Sequence, residues 1–187
     1  MKAIGFAGYS GAGKTTVLEQ IIRILRERGA RVSVVKHAHH DFDIDVPGKD
    51  SWRHRKAGAF EVLVVSDQRM ALMREWEAPQ QVLSAHAMLA ELDHGVDWAL
   101  VEGFKHDDSL PKIEIWRTPG GDEKPRRLRY PEDPHIVAIA TDEARSLPAG
   151  HGLPVLNLNQ AAQIVDWMLE NAARLEYTAP TRKEITR

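Results

Sequence analysis

The chain of 187 residues contains no cysteine, which excludes a disulfide framework, a zinc–thiolate centre and cysteine nucleophiles together. Long apolar runs are missing too. None approaches the ~18 to 20 residues needed to cross a bilayer, so no membrane partner is expected. Charge of one sign is not in excess: 25 Lys and Arg stand against 27 Asp and Glu, a formal net charge of −2. So weak a field argues against nucleic acid or an anionic membrane as the main partner and leaves any basic site local. The opening MKAIGFAGYSG has only a short apolar run broken by glycines. It is expected to be a strand and not a signal peptide, and a cytoplasmic location is expected with it. No internal repeat is visible.

With 43% hydrophobic residues, a chain of this length can bury one sizeable core and is short for two. Residues 1–173 are therefore read as one domain and 174–187 as a flexible tail. Apolar runs of strand length alternate with segments of helical spacing, the pattern of an α/β fold with a doubly wound, mostly parallel sheet and helices on both faces. Strands are predicted at 3–7, 31–37, 61–67, 69–76, 96–104, 112–117, 135–142 and 154–159. The run KIEIWR, 112–117, alternates polar and apolar residues and reads as an edge or half-exposed strand. Helices are predicted at 16–28, 51–57, 79–92 and 160–175.

Between the first strand and the first helix stands GYSGAGKTT, 8–16. It fits G-x-x-x-x-G-K-[ST] at every fixed position, Gly8, Gly13, Lys14 and Thr15, in the strand–loop–helix setting that this P-loop motif requires. Glycines let successive backbone N–H groups turn inward around phosphate oxygens, and the helix N-terminus adds positive partial charge. Lys14 is expected to reach the β- and γ-phosphates, and the Thr15 hydroxyl to ligate Mg²⁺. The expected ligand contacts are Gly8, Ser10, Gly11, Ala12, Gly13, Lys14, Thr15 and Thr16.

A P-loop fold also needs an acid at the end of a buried strand near the magnesium. WALVEGF offers Glu102, either as a Mg²⁺ ligand through water, as the group that positions attacking water, or as a surface glutamate at a strand end. The segment KHAHHDFDIDVPGKDS, 36–51, gathers His37, His39, His40, Asp41, Asp43, Asp45, Lys49 and Asp50 at the carboxyl end of the second strand. In a doubly wound sheet that end faces the same crevice as the P-loop. A phosphate-sensing loop, a plain solvated loop and a transition-metal store are the three readings of it, the last weakened by adjacent histidines and the lack of cysteine. No N-K-x-D element for reading guanine is present. Asp142, after IVAIAT, stands where such a carboxylate would be expected, or else caps a turn. Lys124, Arg126, Arg127 and Arg129 form a basic cluster suited to a second phosphate-bearing ligand, to an acidic partner surface, or only to solvent.

GYSGAGKTT, KHAHHDFDIDVPGKDS and LVEGFKH together resemble the molybdopterin-guanine dinucleotide biosynthesis adapter family, MobB, over residues 1 to about 169. The resemblance implies a dimeric P-loop protein that binds GTP with Mg²⁺, has weak intrinsic GTPase activity and assists the guanylyltransferase that joins GMP to molybdopterin. Molybdopterin itself or a molybdoenzyme chaperone would be further partners. Carried onto this chain, Lys14, Glu102 and Asp45 are the candidate catalytic groups. Thr15, Asp43, Asp45 and Glu102 are the candidate metal ligands. Two rival functions share the loop: a small-molecule kinase, with PRRLR as a lid over the phosphates, and a nucleotide-gated binding module without catalysis.

Overall fold

The structure is a computed structural model and describes residues 1–38, 42–77, 84–104, 107–118 and 126–178. The chain forms two compact units, one of residues 1–37 with the chain from Ser84 onward, the other of residues 38–83.

The main unit is built on six parallel strands in the order β2-β5-β1-β6-β7-β8. These are β1 (Lys2–Ala7), β2 (Val32–Lys36), β5 (Trp98–Glu102), β6 (Lys112–Trp116), β7 (Ile136–Thr141) and β8 (Val155–Asn157). Among the described residues the α-helices are α1 (Lys14–Glu27), α3 (Ala85–Leu89) and α4 (Ala161–Glu170) here and α2 (Asp50–Lys56) in the other unit. α1 buries Val17, Leu18, Ile21 and Leu25, and α4 buries Ala161, Ile164, Val165 and Met168. Both stripes follow the helical period. They close one core with Ile4, Phe6, Ile113 and Ile115 of the sheet, and each fully buried Ile or Leu there contributes about 1.5–3 kcal/mol. The mostly parallel α/β architecture read from the sequence is the one observed.

The edge-strand reading of 112–117 is corrected. β6 lies between β1 and β7, and all five of its residues are buried. Its polar positions are satisfied inside the protein: Lys112 pairs with Asp133 at 2.7 Å and donates to the Asp107 carbonyl, while Glu114 accepts the N–H groups of Arg129 at 2.8 Å and Tyr130 at 3.0 Å. Buried charge is tolerated where it is paired and hydrogen-bonded, and alternation of polarity cannot reveal such partners. The helix predicted over 79–92 is observed only as α3, with residues 78–83 outside the described part of the chain.

The tail boundary also moves. The last helix ends at Glu170, and a 3-10 turn, Ala172–Leu175, returns the chain to β1. Leu175 is buried, Glu176 bridges to Lys2, and the Tyr177 N–H donates to the Met1 carbonyl at 2.8 Å. Residues 174–177 are therefore part of the fold; 179–187 lie outside the described residues.

In the inserted unit, β3 (Glu61–Val65) and β4 (Met70–Arg74) form an antiparallel hairpin, closed by the Ser66 N–H on the Arg69 carbonyl, and α2 packs beside β3. Leu63, Val64, Val65, Met70 and Leu72 of this hairpin are exposed.

Candidate functional site

The loop from Gly8 to Thr16 joins β1 to α1 by backbone that only glycine supplies cheaply. Gly8, Gly11 and Gly13 have φ of 148°, 78° and 92°, outside the range comfortable for L side chains. At Gly8 space is also closed, since a Cβ there would stand 2.4 Å from the Ile115 carbonyl oxygen. Gly13 is the left-handed residue before α1, and no side chain caps that helix and no acid occupies its first turn. The first intrahelical bond here runs from the Val17 N–H to the Gly13 carbonyl. The N–H groups of Lys14, Thr15 and Thr16 thus belong to the donor-rich start of a helix, where anions bind. Lys14 Nζ donates to the carbonyls of Gly8 at 2.9 Å and Tyr9 at 2.8 Å, which lays its ammonium along the loop.

Parallel register brings the strand-end acid to this loop. Glu102 closes β5 opposite Phe6 of β1 and opposite Lys36 of β2. Its Oε1 accepts the Thr15 hydroxyl at 2.8 Å, and its Oε2 lies 3.6 Å from Lys36 Nζ. The carboxylate is 8% exposed as a residue. Behind it the backbone turns sharply: Gly103 has φ 99° and Phe104 φ 42°, an uncommon conformation for a bulky residue. A Cβ on Gly103 would lie 2.9 Å from the His37 Cβ, and the Phe104 ring rests against the His37 ring at 4.8 Å. Conformations of this kind are held in place by their surroundings and concentrate at functional sites.

The remaining predicted residues fall in three places. Asp142 follows β7 and is already engaged, its Oδ2 with Arg117 Nη1 at 3.1 Å and its Oδ1 with the Thr118 N–H at 3.1 Å. A small cavity of about 120 Å³ opens beside this pair, lined by Gly13, Thr16, Gln20, Arg117, Leu158 and Asn159. In the inserted unit, Asp43 and Asp45 close around Arg55. Arg55 Nη2 donates to both oxygens of Asp43, at 2.7 and 2.8 Å, and Nε donates to Asp45 Oδ2 at 3.1 Å. Glu75 takes Nη1 at 2.6 Å, and Ser51 donates to Asp45 Oδ1 at 2.8 Å. The Asp45 backbone N–H, followed by Arg55, holds the Asp43 carboxyl below its ordinary range. His39, His40, Asp41 and Lys124 lie outside the described residues.

Four contributors escaped the sequence reading: Lys36, Arg55 and Arg117 by their pairings above, and Arg126, whose Nη1 donates to the Ser10 carbonyl at 3.1 Å. Nothing in local spacing marks the first three. Arg126 was visible as one member of a basic cluster and of the PRRLR stretch read as a kinase lid, without its Ser10 partner. A second cavity, of about 520 Å³, adjoins the loop at Tyr9 and is bounded by Asp107, Asp108, Arg127, Arg129 and Asp133.

Comparison with known proteins follows this geometry. Residues 3–142 match the model of a family described as molybdopterin guanine dinucleotide synthesis protein B, MobB. The chain is 39% identical over 168 residues to the molybdopterin-guanine dinucleotide biosynthesis adapter protein of Escherichia coli K12, covering 89% of this chain and 91% of that one. It is 39% identical over 167 residues to the protein of the same name from Haemophilus influenzae, covering 88% and 86%. In fold it is similar to Bacillus subtilis MobB, with a TM-score of 0.64 at 24% identity over 95% of this chain and all of that one. A MobB homologue from Bacillus stearothermophilus gives 0.59 at 23%, over 93% and 99%.

Proposed function

The chain belongs to the MobB family, and on that premise we propose that it is a cytoplasmic adapter in molybdopterin guanine dinucleotide synthesis that binds GTP with Mg²⁺ and hydrolyses it slowly. The observation that carries the nucleotide reading is the bond from Thr15 to Glu102 at 2.8 Å: a hydroxyl and an acid side by side at the mouth of a glycine loop support a Mg·triphosphate site there. The adapter role rests on the family and on the names of its relatives. In it the protein would assist a guanylyltransferase, with molybdopterin or a molybdoenzyme chaperone as further partners.

The backbone N–H groups from Gly11 to Thr16 and the Lys14 ammonium would bind the β- and γ-phosphates, and their charge would offset that of the phosphates. The donor set suits Mg²⁺: Thr15 and Glu102 offer hard oxygens. That fits a cation held by one or two protein oxygens, with water and phosphate completing its shell. When bound, Mg²⁺ would neutralise charge between the phosphates. Glu102, or Asp45 acting from the acidic loop, would orient the attacking water. For Asp43 or Asp45 to ligate the ion, either would first exchange its Arg55 contact for it. Asp142 and the cavity beside Arg117 would receive the base. The exposed Leu63, Val65 and Met70 of the hairpin support a homodimer.

Calorimetric titration with non-hydrolysable GTP and ATP analogues, with and without Mg²⁺ and alongside Lys14→Ala, tests this reading. GTP preference that needs Mg²⁺ and disappears in the variant is the expected result. Equal binding or ATP preference would refute the guanine assignment. A small-molecule kinase is favoured by one observation, the cavity of about 520 Å³ beside Tyr9, which is large enough for an acceptor. Phosphate release in the absence of any acceptor would exclude it. Partner function retained in Lys14→Ala would argue that the nucleotide site is dispensable.

A further inference from the structure

Arg126 is delivered to the phosphate loop by a stretch of chain fastened to the sheet. The Trp116 indole N–H, at the buried end of β6, donates to the Arg126 carbonyl at 3.1 Å. Glu114, wholly buried, takes the N–H groups of Arg129 and Tyr130, one on each carboxylate oxygen. From this anchored backbone the Arg126 side chain reaches across to the Ser10 carbonyl at 3.1 Å, and both Nη atoms lie 3.8 Å from the point where a Cβ on Gly11 would stand. Lys14 holds the carbonyls of Gly8 and Tyr9. Two cations from distant parts of the chain therefore grip three consecutive carbonyls of one loop.

We propose that Arg126 is an arginine finger supplied in cis, donating to the β–γ bridging oxygen and the γ-phosphate of bound GTP; this rests on the GTP reading above. In the reaction the water oxygen forms a bond to the γ-phosphorus while the bond from that phosphorus to the bridging oxygen breaks. GDP leaves with the electron pair, the new bond makes inorganic phosphate, and the water proton passes to phosphate oxygen or solvent. Negative charge grows on the bridging oxygen and on the transferring group. A guanidinium presents five N–H donors in a fixed fork and stays charged at any working pH. It stands at the same loop as Lys14, bonded to the Ser10 carbonyl, and would exchange that bond for the phosphate when GTP is bound; donors fixed in this way act mainly on the transition state. Glycine at position 11 keeps the approach to the loop clear.

The test uses the full chain and its Arg126→Ala and Arg126→Lys variants. Three quantities are read: affinity for a non-hydrolysable GTP analogue, single-turnover hydrolysis of GTP, and formation of a complex with GDP and aluminium fluoride. Arg126→Ala is expected to bind the analogue within about threefold of wild type and to hydrolyse GTP roughly 20-fold or more slowly, the scale that separates GTPases with and without an arginine in cis. It should also fail to form the aluminium fluoride complex. Arg126→Lys, which keeps the charge and the stem but loses the fork, should fold as wild type and recover only part of the rate. Turnover unchanged in both variants, full recovery by lysine, or a rate loss that follows weakened analogue binding would overturn the inference. Wild-type protein that binds the analogue but hydrolyses nothing would sink this inference together with the slow GTPase activity and leave GTP binding standing, whereas turnover unchanged in both variants of an active protein would sink this inference alone. Wild-type protein that binds no guanine nucleotide would sink the GTP reading first.

Discussion

Thr15 and Glu102 lie 87 positions apart in sequence and meet at 2.8 Å, because β1 and β5 are neighbours in parallel register with Phe6 opposite Glu102. The pair joins the first turn of α1 to the end of a strand buried along its whole length. Glu102→Gln keeps the size of the side chain and removes its charge. We expect the variant to bind GTP analogue about as well without Mg²⁺ as with it, and to lose hydrolysis at least tenfold. Titration at fixed nucleotide and increasing Mg²⁺ checks this. An unchanged Mg²⁺ requirement would assign the ion to other oxygens.

Lys14 is expected to carry much of the affinity for the triphosphate. Hydrogen bonds to charged groups are worth about 1.5–3 kcal/mol, so Lys14→Ala should weaken GTP binding about 10- to 100-fold. Thermal stability should change little, since the bonds from the ammonium to the Gly8 and Tyr9 carbonyls lie at the rim of the loop.

Gly8→Ala is predicted to damage the fold itself. A Cβ 2.4 Å from the Ile115 carbonyl oxygen meets backbone of a central strand, which cannot step aside, and the φ of 148° adds strain. A loss of about 1–3 kcal/mol is expected from overpacking of this kind, read as a lower urea midpoint. Gly58→Ala serves as the control: its φ of 100° is also strained, but no atom lies within 4 Å of the added methyl, so it should cost less.

Glu114 gives the main unit a pH dependence. Burial raises its carboxyl above the ordinary 4.5, against the two N–H bonds and the nearby Arg129 charge that oppose the shift. A carboxyl raised in the folded state binds protons that the unfolded chain releases, so its contribution to stability is fully present below about 4.5 and is lost as pH rises through the folded value. Glu114→Gln should flatten the slope of urea stability against pH in that interval. An unchanged slope would place the dependence elsewhere.

The inserted unit should respond in the opposite direction. Asp43 is held below 3.8 by the Asp45 N–H and by Arg55, so its stabilising effect is present above 3.8 and lost as pH falls through the lower folded value. Arg55→Ala frees three carboxylates at once. Hydrogen exchange should speed up in residues 42–77 and stay unchanged in β1, β5 and β6.

If the hairpin joins two copies, charge placed on it will separate them. Leu63→Glu with Met70→Glu puts acids on adjacent exposed strands, and light scattering should report a monomer where wild type gives a dimer. A wild-type monomer would remove the homodimer from the proposal.

Local pattern was enough for much of this protein. Gly8, Gly13, Lys14 and Thr15 at fixed spacing, between an apolar run and an amphipathic stripe, determine a glycine loop that opens a helix, because the requirement is for backbone shape and helix start, which neighbours in sequence supply. The same holds for α1 and α4, whose buried stripes follow the helical period, and for β1, β5 and β7, whose burial is written in continuous apolar runs. Only the tertiary structure decided which charges meet. Lys112 and Glu114 looked like the wet face of an edge strand and are buried because Asp133 and the 129–130 backbone satisfy them. Arg126 was one of a basic cluster whose partner, a phosphate-bearing ligand, an acidic surface or solvent, the sequence left open, and it reaches Ser10 from a carbonyl that Trp116 anchors. Partners of that kind come from segments far apart in the chain, and a sequence records a charge without recording what will stand opposite it.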